Sequence, residues 1–124
     1  MSLVLDTAFL VDVARRSPAA VDLLRTLDAE AALLLVPSVV LAEYLAGFSD
    51  PSEAAAELRE NAEVLDFSES DARSAAQIAR AAIAAGHFPG WNDVLIAGFA
   101  RNRGAEAVVT RNTRHFPGVK VRTY

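Results

Sequence analysis

Apolar and polar positions follow two rhythms along this chain, and they alternate. Short unbroken apolar runs occur in LVLD near the start, ALLLVP (Ala32–Pro37), EVLDF (Glu63–Phe67), AVVT (Ala107–Thr110) and, more weakly, VKVRTY at the end. Their lengths and aliphatic content suit strands covered on both faces. Between them lie segments with apolar residues at helical spacing, each opened by residues that favour helix starts. TAFLVDVARR has Thr7 or Asp6 available as cap, and Ser17-Pro18 opens a second helix to about Leu27. Ser38 is placed to cap VVLAEYLAG, and Asp50-Pro51-Ser52-Glu53 to open a helix reaching about Asn61. Ser68 and Asp71 begin a long alanine-rich helix that stops at Gly86; HFPGW reads as a loop, and Asn92 as the cap of NDVLIAGFARNRG.

Strands alternating with helices predict an α/β fold: a three-layer α/β/α sandwich around a mainly parallel sheet of four to five strands. At 124 residues the expected organisation is one domain spanning 1–124. A 52% hydrophobic and 23% charged composition is that of a globular chain rather than a disordered one. No apolar run approaches the ~20 residues needed to cross a bilayer, and the N-terminus has no basic flank of a signal peptide. With no cysteine, disulfides and thiolate metal sites are excluded, and a cytoplasmic location is expected.

The net charge of −4 conceals an asymmetry: residues 1–100 carry a balance of −9, and residues 101–124 a balance of +5. A basic end on an acidic body suits an anionic partner, although a solvated, solubilising edge accounts for it equally well.

Three acids stand out by their surroundings. Asp6 is the only charge in MSLVLD, Glu43 the only charge between Ala31 and Ser49, and Asp93 the only acid between Ala81 and Ala100. An unpaired buried carboxylate is costly, and a shared cation would offset the repulsion among three. In a parallel sheet ligands bind beyond the carboxyl ends of the strands. Asp6 ends strand one, Glu43 follows strand two, Asp93 opens the helix before strand four, and Asn112 follows that strand. Taken singly, Asp6 would serve equally as a helix cap and Asp93 as a first-turn acid favoured by the helix dipole. Glu43, in mid-helix, has no capping role, and its plain alternative is a rim position reaching water. Oxygen ligands without cysteine point to Mg²⁺ or Mn²⁺, which activate water and neutralise phosphate charge; phosphodiester hydrolysis is the chemistry that fits.

Four segments in order, LVLDTAFLVD, SVVLAEYLAG, NDVLIAGFA and VVTRNTRHF, resemble PIN-domain ribonucleases, closest to the VapC-type toxins of toxin–antitoxin pairs. The resemblance runs from Leu3 to about Phe116. It implies an endoribonuclease whose Mg²⁺ or Mn²⁺ is held by Asp6, Glu43 and Asp93, with Asn112 as a further oxygen ligand and the Thr7 and Thr110 hydroxyls beside them. Many members carry an acid where this chain has Asn112, which favours one tightly held ion, a second arriving only with RNA. The resemblance also implies a homodimer and a small antitoxin partner. Under it Arg111 and Arg114 would hold RNA phosphates, whereas Arg101 and Arg103 are expected only to complement their helix dipole.

Two other functions compete. A receiver-like signalling module would want adjacent acids after strand one and a lysine after a later strand; here threonine follows Asp6 and the only lysine is Lys120. A PIN-like binding module that has lost turnover is compatible with Asn112. Asp12 is expected either near the acids or on a solvated helix face. Trp91, in the loop beside Asp93, is a candidate RNA or partner contact.

Overall fold

Strand β1 (Ser2–Leu5) has a parallel neighbour on each side, β2 (Leu33–Pro37) and β4 (Ala107–Val109). Strand β3 (Glu63–Leu65) pairs with β2 and strand β5 (Val121–Arg122) with β4, both parallel, so the order is β3-β2-β1-β4-β5. The computed structural model of the chain describes residues 1–112 and 116–124. Among the described residues six helices join and cover these strands: α1 (Thr7–Ala14), α2 (Pro18–Ala29), α3 (Ser38–Leu45), α4 (Pro51–Arg59), α5 (Glu69–Ala84) and α6 (Trp91–Asn102). The chain winds outward from β1 through β2 to β3, then returns through α5 and α6 to the far side of β1. Right-handed crossovers therefore place α1–α4 on one face of the sheet and α5–α6 on the other. This is the parallel α/β sandwich that the apolar rhythm predicts.

The apolar runs form strands because both faces are covered: Leu3, Val4, Leu5, Leu35, Val36, Val108 and Val109 are buried. Phe9 of α1 and Phe99 of α6 are fully buried and belong to the same core, each worth roughly 2–3 kcal/mol of apolar burial. Helices α5 and α6 approach closely because Gly98 has no side chain. A Cβ there would lie 2.5 Å from the backbone of Ala75.

The starts of α1, α4 and α5 are among those expected, whereas those of α2, α3 and α6 differ. Asp6, rather than Thr7, caps α1 by accepting the Phe9 amide at 2.8 Å. Asp50 caps α4, and Ser68 with Asp71 forms a reciprocal capping box on α5. Ser17 precedes α2 without a side-chain cap bond. Ser38 does not cap α3 but is its first residue, and its hydroxyl accepts the Phe67 amide at 3.0 Å, tying the helix to the end of β3. Asn92 does not cap α6: the cap position is Gly90, at φ 106°, so the helix starts at Trp91 and the Asn92 amide is committed elsewhere.

Asp71 has a second use. It is fully buried, and Arg103 at the end of α6 grips it through Nε (3.0 Å) and Nη2 (2.9 Å) while also donating to the Asp66 carbonyl. Arg103 further lies 4.7 Å over the Phe99 ring, so it does more than complement a dipole. Burial would raise the Asp71 carboxyl, but Arg103, the Ser68 amide and Asn102 outweigh it and hold it far below its ordinary 3.8. Stability from a depressed carboxyl is fully present above that ordinary value and drains away as pH falls below it. Replacing Asp71 with Asn is expected to cost about 3 kcal/mol at neutral pH by stranding Arg103 and the cap. In urea denaturation the penalty should shrink as pH is lowered below 3.8; a penalty independent of pH would refute this account.

Candidate active site

The winding of the chain reverses at β1, and above its carboxyl end, beside β4, lies a pocket of about 190 Å³. Asp6, Thr7, Glu43, Asn92, Asp93, Arg111 and Asn112 line it, with Ala8, Ile96 and Phe116 as apolar wall. Four segments distant in sequence thus deliver Asp6, Glu43, Asp93 and Asn112 to one place. Among the described residues, however, no three acids or histidines close to the spacing of ligands around one ion.

The surroundings of the acids are unequal. Asp6 is buried at 5% exposure, Asp93 is partly buried, and Glu43 is exposed. The expectation of three buried carboxylates therefore holds for Asp6 alone. The reason is that α3 lies at the surface, with only Val40 fully buried, and Glu43 stands at the rim. Burial raises the Asp6 carboxyl; the Thr110 hydroxyl and the Phe9 amide oppose this by hydrogen bonding, Asp93 adds repulsion, and Arg111 attracts. Desolvation wins, and Asp6 titrates above its ordinary value. A nearby cation would reverse that balance.

Neighbouring polar groups fix the lining side chains. Thr110, fully buried at the end of β4, hydrogen-bonds Asp6 and accepts the Asn112 amide at 3.0 Å, so one hydroxyl links two of the pocket's oxygen-bearing residues. Asn92 donates to Glu43 Oε2 at 3.0 Å, tying α6 to α3 across the mouth. Among the described residues the buried Thr7 hydroxyl has no hydrogen-bond partner, an unsatisfied oxygen at the pocket wall. The donor set is thus all oxygen, with three carboxylates, an amide and an orphan hydroxyl, and it suits a hard divalent cation.

Sequence reasoning missed how Arg111 is held. Its Nη1 donates to both oxygens of Asp12, at 3.0 and 2.9 Å, and the Tyr124 hydroxyl donates to the same carboxylate at 2.6 Å. Asp12 is therefore not on a solvated helix face: it is buried, holds a pocket residue, and joins α1, the end of β4 and Tyr124. The partners are 99 and 112 positions away in sequence, a separation no local pattern reveals. The arginine side chain stays 59% exposed at the pocket. Arg114 and His115 lie outside the described residues. Phe99 and Phe116 are buried, whereas Trp91 is exposed.

An acid-lined crevice at the switch point of a parallel sheet defines the general class of protein. The chain belongs to the PIN-domain family, whose model matches residues 3–121. A chain of DNA-bound VapBC from Salmonella typhimurium is 25% identical, with a TM-score of 0.81, covering 99% of this chain and 98% of that one. VapBC-5 from Mycobacterium tuberculosis, a member of the VapBC family of toxin-antitoxin systems, is 20% identical (TM-score 0.63; 98% and 96% covered). VapC20 of the same organism, a sarcin-ricin loop cleaving toxin, is 16% identical (TM-score 0.66; 94% and 95% covered). The latter two are likenesses of fold. Comparison with curated protein sequences finds no significant match.

The Asp12 network yields a spectroscopic prediction. Burial and the bond to Asp12 raise the Tyr124 phenol far above its ordinary 10.0, while burial raises Tyr44 less. Ultraviolet titration should resolve two phenols, the later one vanishing in Tyr124→Phe. Because the raised phenol is neutral when folded, its stabilisation is complete below pH 10 and is lost above it. A later phenol that persists in the variant would contradict the assignment.

Proposed function

We propose that this chain is a divalent-metal-dependent endoribonuclease that hydrolyses RNA phosphodiester bonds and acts as the toxin of a toxin–antitoxin pair. The observation that carries this reading is the single pocket shared by Asp6, Glu43, Asp93 and Asn112 at the carboxyl end of β1. Family membership supports nuclease chemistry, and the toxin–antitoxin relatives support a small antitoxin partner. The RNA-cleaving relative supports RNA as substrate.

In this reading Asp6, Glu43 and Asp93 hold Mg²⁺ or Mn²⁺, with Asn112 contributing a neutral oxygen. When bound, the ion would supply charge neutralisation at the phosphate and acidify a water for attack. The chain's own groups do the positioning. Thr110 fixes Asp6 and, through the backbone of residue 112, the Asn112 segment. Asn92 fixes Glu43. Arg111 and Arg114 receive the phosphates that flank the cleaved bond; pairing with Asp12 keeps Arg111 in place without removing its exposed surface. We further propose that the chain works as a homodimer in the cytoplasm; no helix among the described residues is long and apolar enough to cross a membrane.

Three measurements test the proposal. A broad RNA panel should be cut in Mg²⁺ or Mn²⁺ and not in chelator, and Asp6→Asn should lower the rate by about a hundredfold or more. Equal, near-zero cleavage by both proteins would favour a binding module without turnover. Calorimetry with Mn²⁺ alone should give one tight site, lost in Asp6→Asn; two tight sites would overturn the single-ion arrangement. Replacing Arg111 with Ala should weaken RNA binding and flatten its salt dependence by about one unit of slope. An unchanged slope would remove Arg111 from contact with phosphate.

A further inference from the structure

Tyr124 reaches the pocket through two intermediaries on one helix. Its ring meets Phe9 edge to face, 5.1 Å between centroids at 68°, and its hydroxyl donates to Asp12 Oδ2 at 2.6 Å. Phe9 and Asp12 stand one turn apart on α1, so a single side chain touches both. Each of the two in turn holds a pocket residue. The Phe9 amide fixes Asp6, and the Asp12 carboxylate fixes Arg111.

The way Asp12 holds the arginine decides what the arginine can still do. A guanidinium presents its N–H donors along the edges of a rigid plane, and each edge suits a forked pair with two oxygens. Asp12 engages it through Nη1 alone, at 3.0 Å to Oδ1 and 2.9 Å to Oδ2. Among the described residues Nε and Nη2 have no acceptor, and the side chain is 59% exposed. The edge left open is the one that can take two oxygens of a phosphate. The Tyr124 hydroxyl bears on this grip because Asp12 Oδ2 accepts from both partners. It restrains the carboxylate from turning, and with it the arginine. A long side chain fixed before its ligand arrives no longer charges that ordering to binding.

Resting on the nuclease reading above, we propose that Asp12 and Tyr124 are positioning residues, which together preset Arg111 so that its Nε and Nη2 edge meets a substrate phosphate at the pocket as a fork. Neither touches the substrate; both act through the arginine.

Two substitutions separate positioning from charge and from support of the fold. Binding of fluorescein-labelled oligouridylate to the full chain is followed by anisotropy in Ca²⁺, and the melting temperature of every variant is measured. Asp12→Asn removes a negative charge in contact with Arg111, so Coulomb's law alone would tighten the hold on a polyanion. Positioning demands the opposite sign, a Kd raised roughly three- to tenfold. Tyr124→Phe keeps the ring on Phe9, removes only the hydroxyl, and should raise the Kd by about threefold. In an Arg111→Ala background Tyr124→Phe should have no further effect, because the group it positions is gone. The same loss in both backgrounds, in step with a lower melting temperature, would mean that Tyr124 only supports the fold, and would overturn the proposal. Unchanged or tighter binding by Asp12→Asn would overturn it as well. Either result leaves RNA cleavage by the unaltered chain, and with it the nuclease reading, in place. If the unaltered protein neither binds nor cuts RNA, the nuclease reading fails and the positioning role falls with it.

Discussion

The reversal of winding direction at β1 is the constraint on which the rest of the molecule depends. A strand with parallel partners on both sides receives crossovers from opposite faces, and a crevice is left beyond its carboxyl end. Whatever follows β1 and β4 must therefore face an open crevice. Asp6 is the first residue past β1, and it meets this situation in two ways at once. One of its oxygens caps α1 through the Phe9 amide, which fixes the carboxylate, while the residue as a whole walls the pocket. Capping and site are not alternatives here: the cap bond is what holds the acid still.

Around that crevice, long-range ion pairs place the elements that chain connectivity leaves loose. Buried pairs contribute little net stability, but removing one partner is expensive, so they fix arrangement rather than add strength. Asp71 with Arg103 pins α5 to the end of α6, next to the close approach that Gly98 permits. Asp12 with Arg111 and Tyr124 pins the strand-end segment and the last residue to α1. Together they set the two walls of the pocket: α6, carrying Asn92 and Asp93, and the segment carrying Arg111 and Asn112. The exposed pair of Arg122 with Glu30 belongs to a weaker class, screened by water and salt.

The fold was largely legible because its signal is local. Continuous apolar runs and helical spacing depend on neighbours a few residues apart, and they located all five strands and the helices between them. The acids were legible because isolation in apolar sequence is also a local property, although it overstated the burial of Glu43. What sequence could not convey were the partners. Ser38 and Asn92 both look like caps, yet their side chains bond Phe67 and Glu43, 29 and 49 positions away. Asp71 reads only as a helix-start acid, and Asp12, between Val11 and Val13, reads equally as a neighbour of the acids or as part of a solvated face. Only the arginines brought in by tertiary folding explain why both are buried.

The charge of the pocket follows from one further choice, the amide at Asn112. A carboxylate there would be the fourth acid around a space of about 190 Å³, beside Asp6, which already titrates high. Repulsion would then fall on the most buried member, and the cost would be met either by protonation or by more bound cation. With the amide, the three acids are partly offset by Arg111, and Arg111 is in turn tempered by Asp12. The result is a pocket with three carboxylates and one arginine, less negative than a fourth acid would make it. The same balance leaves Arg111 exposed at the pocket while Asp12 holds it in place, so a positive group remains available beside the acids.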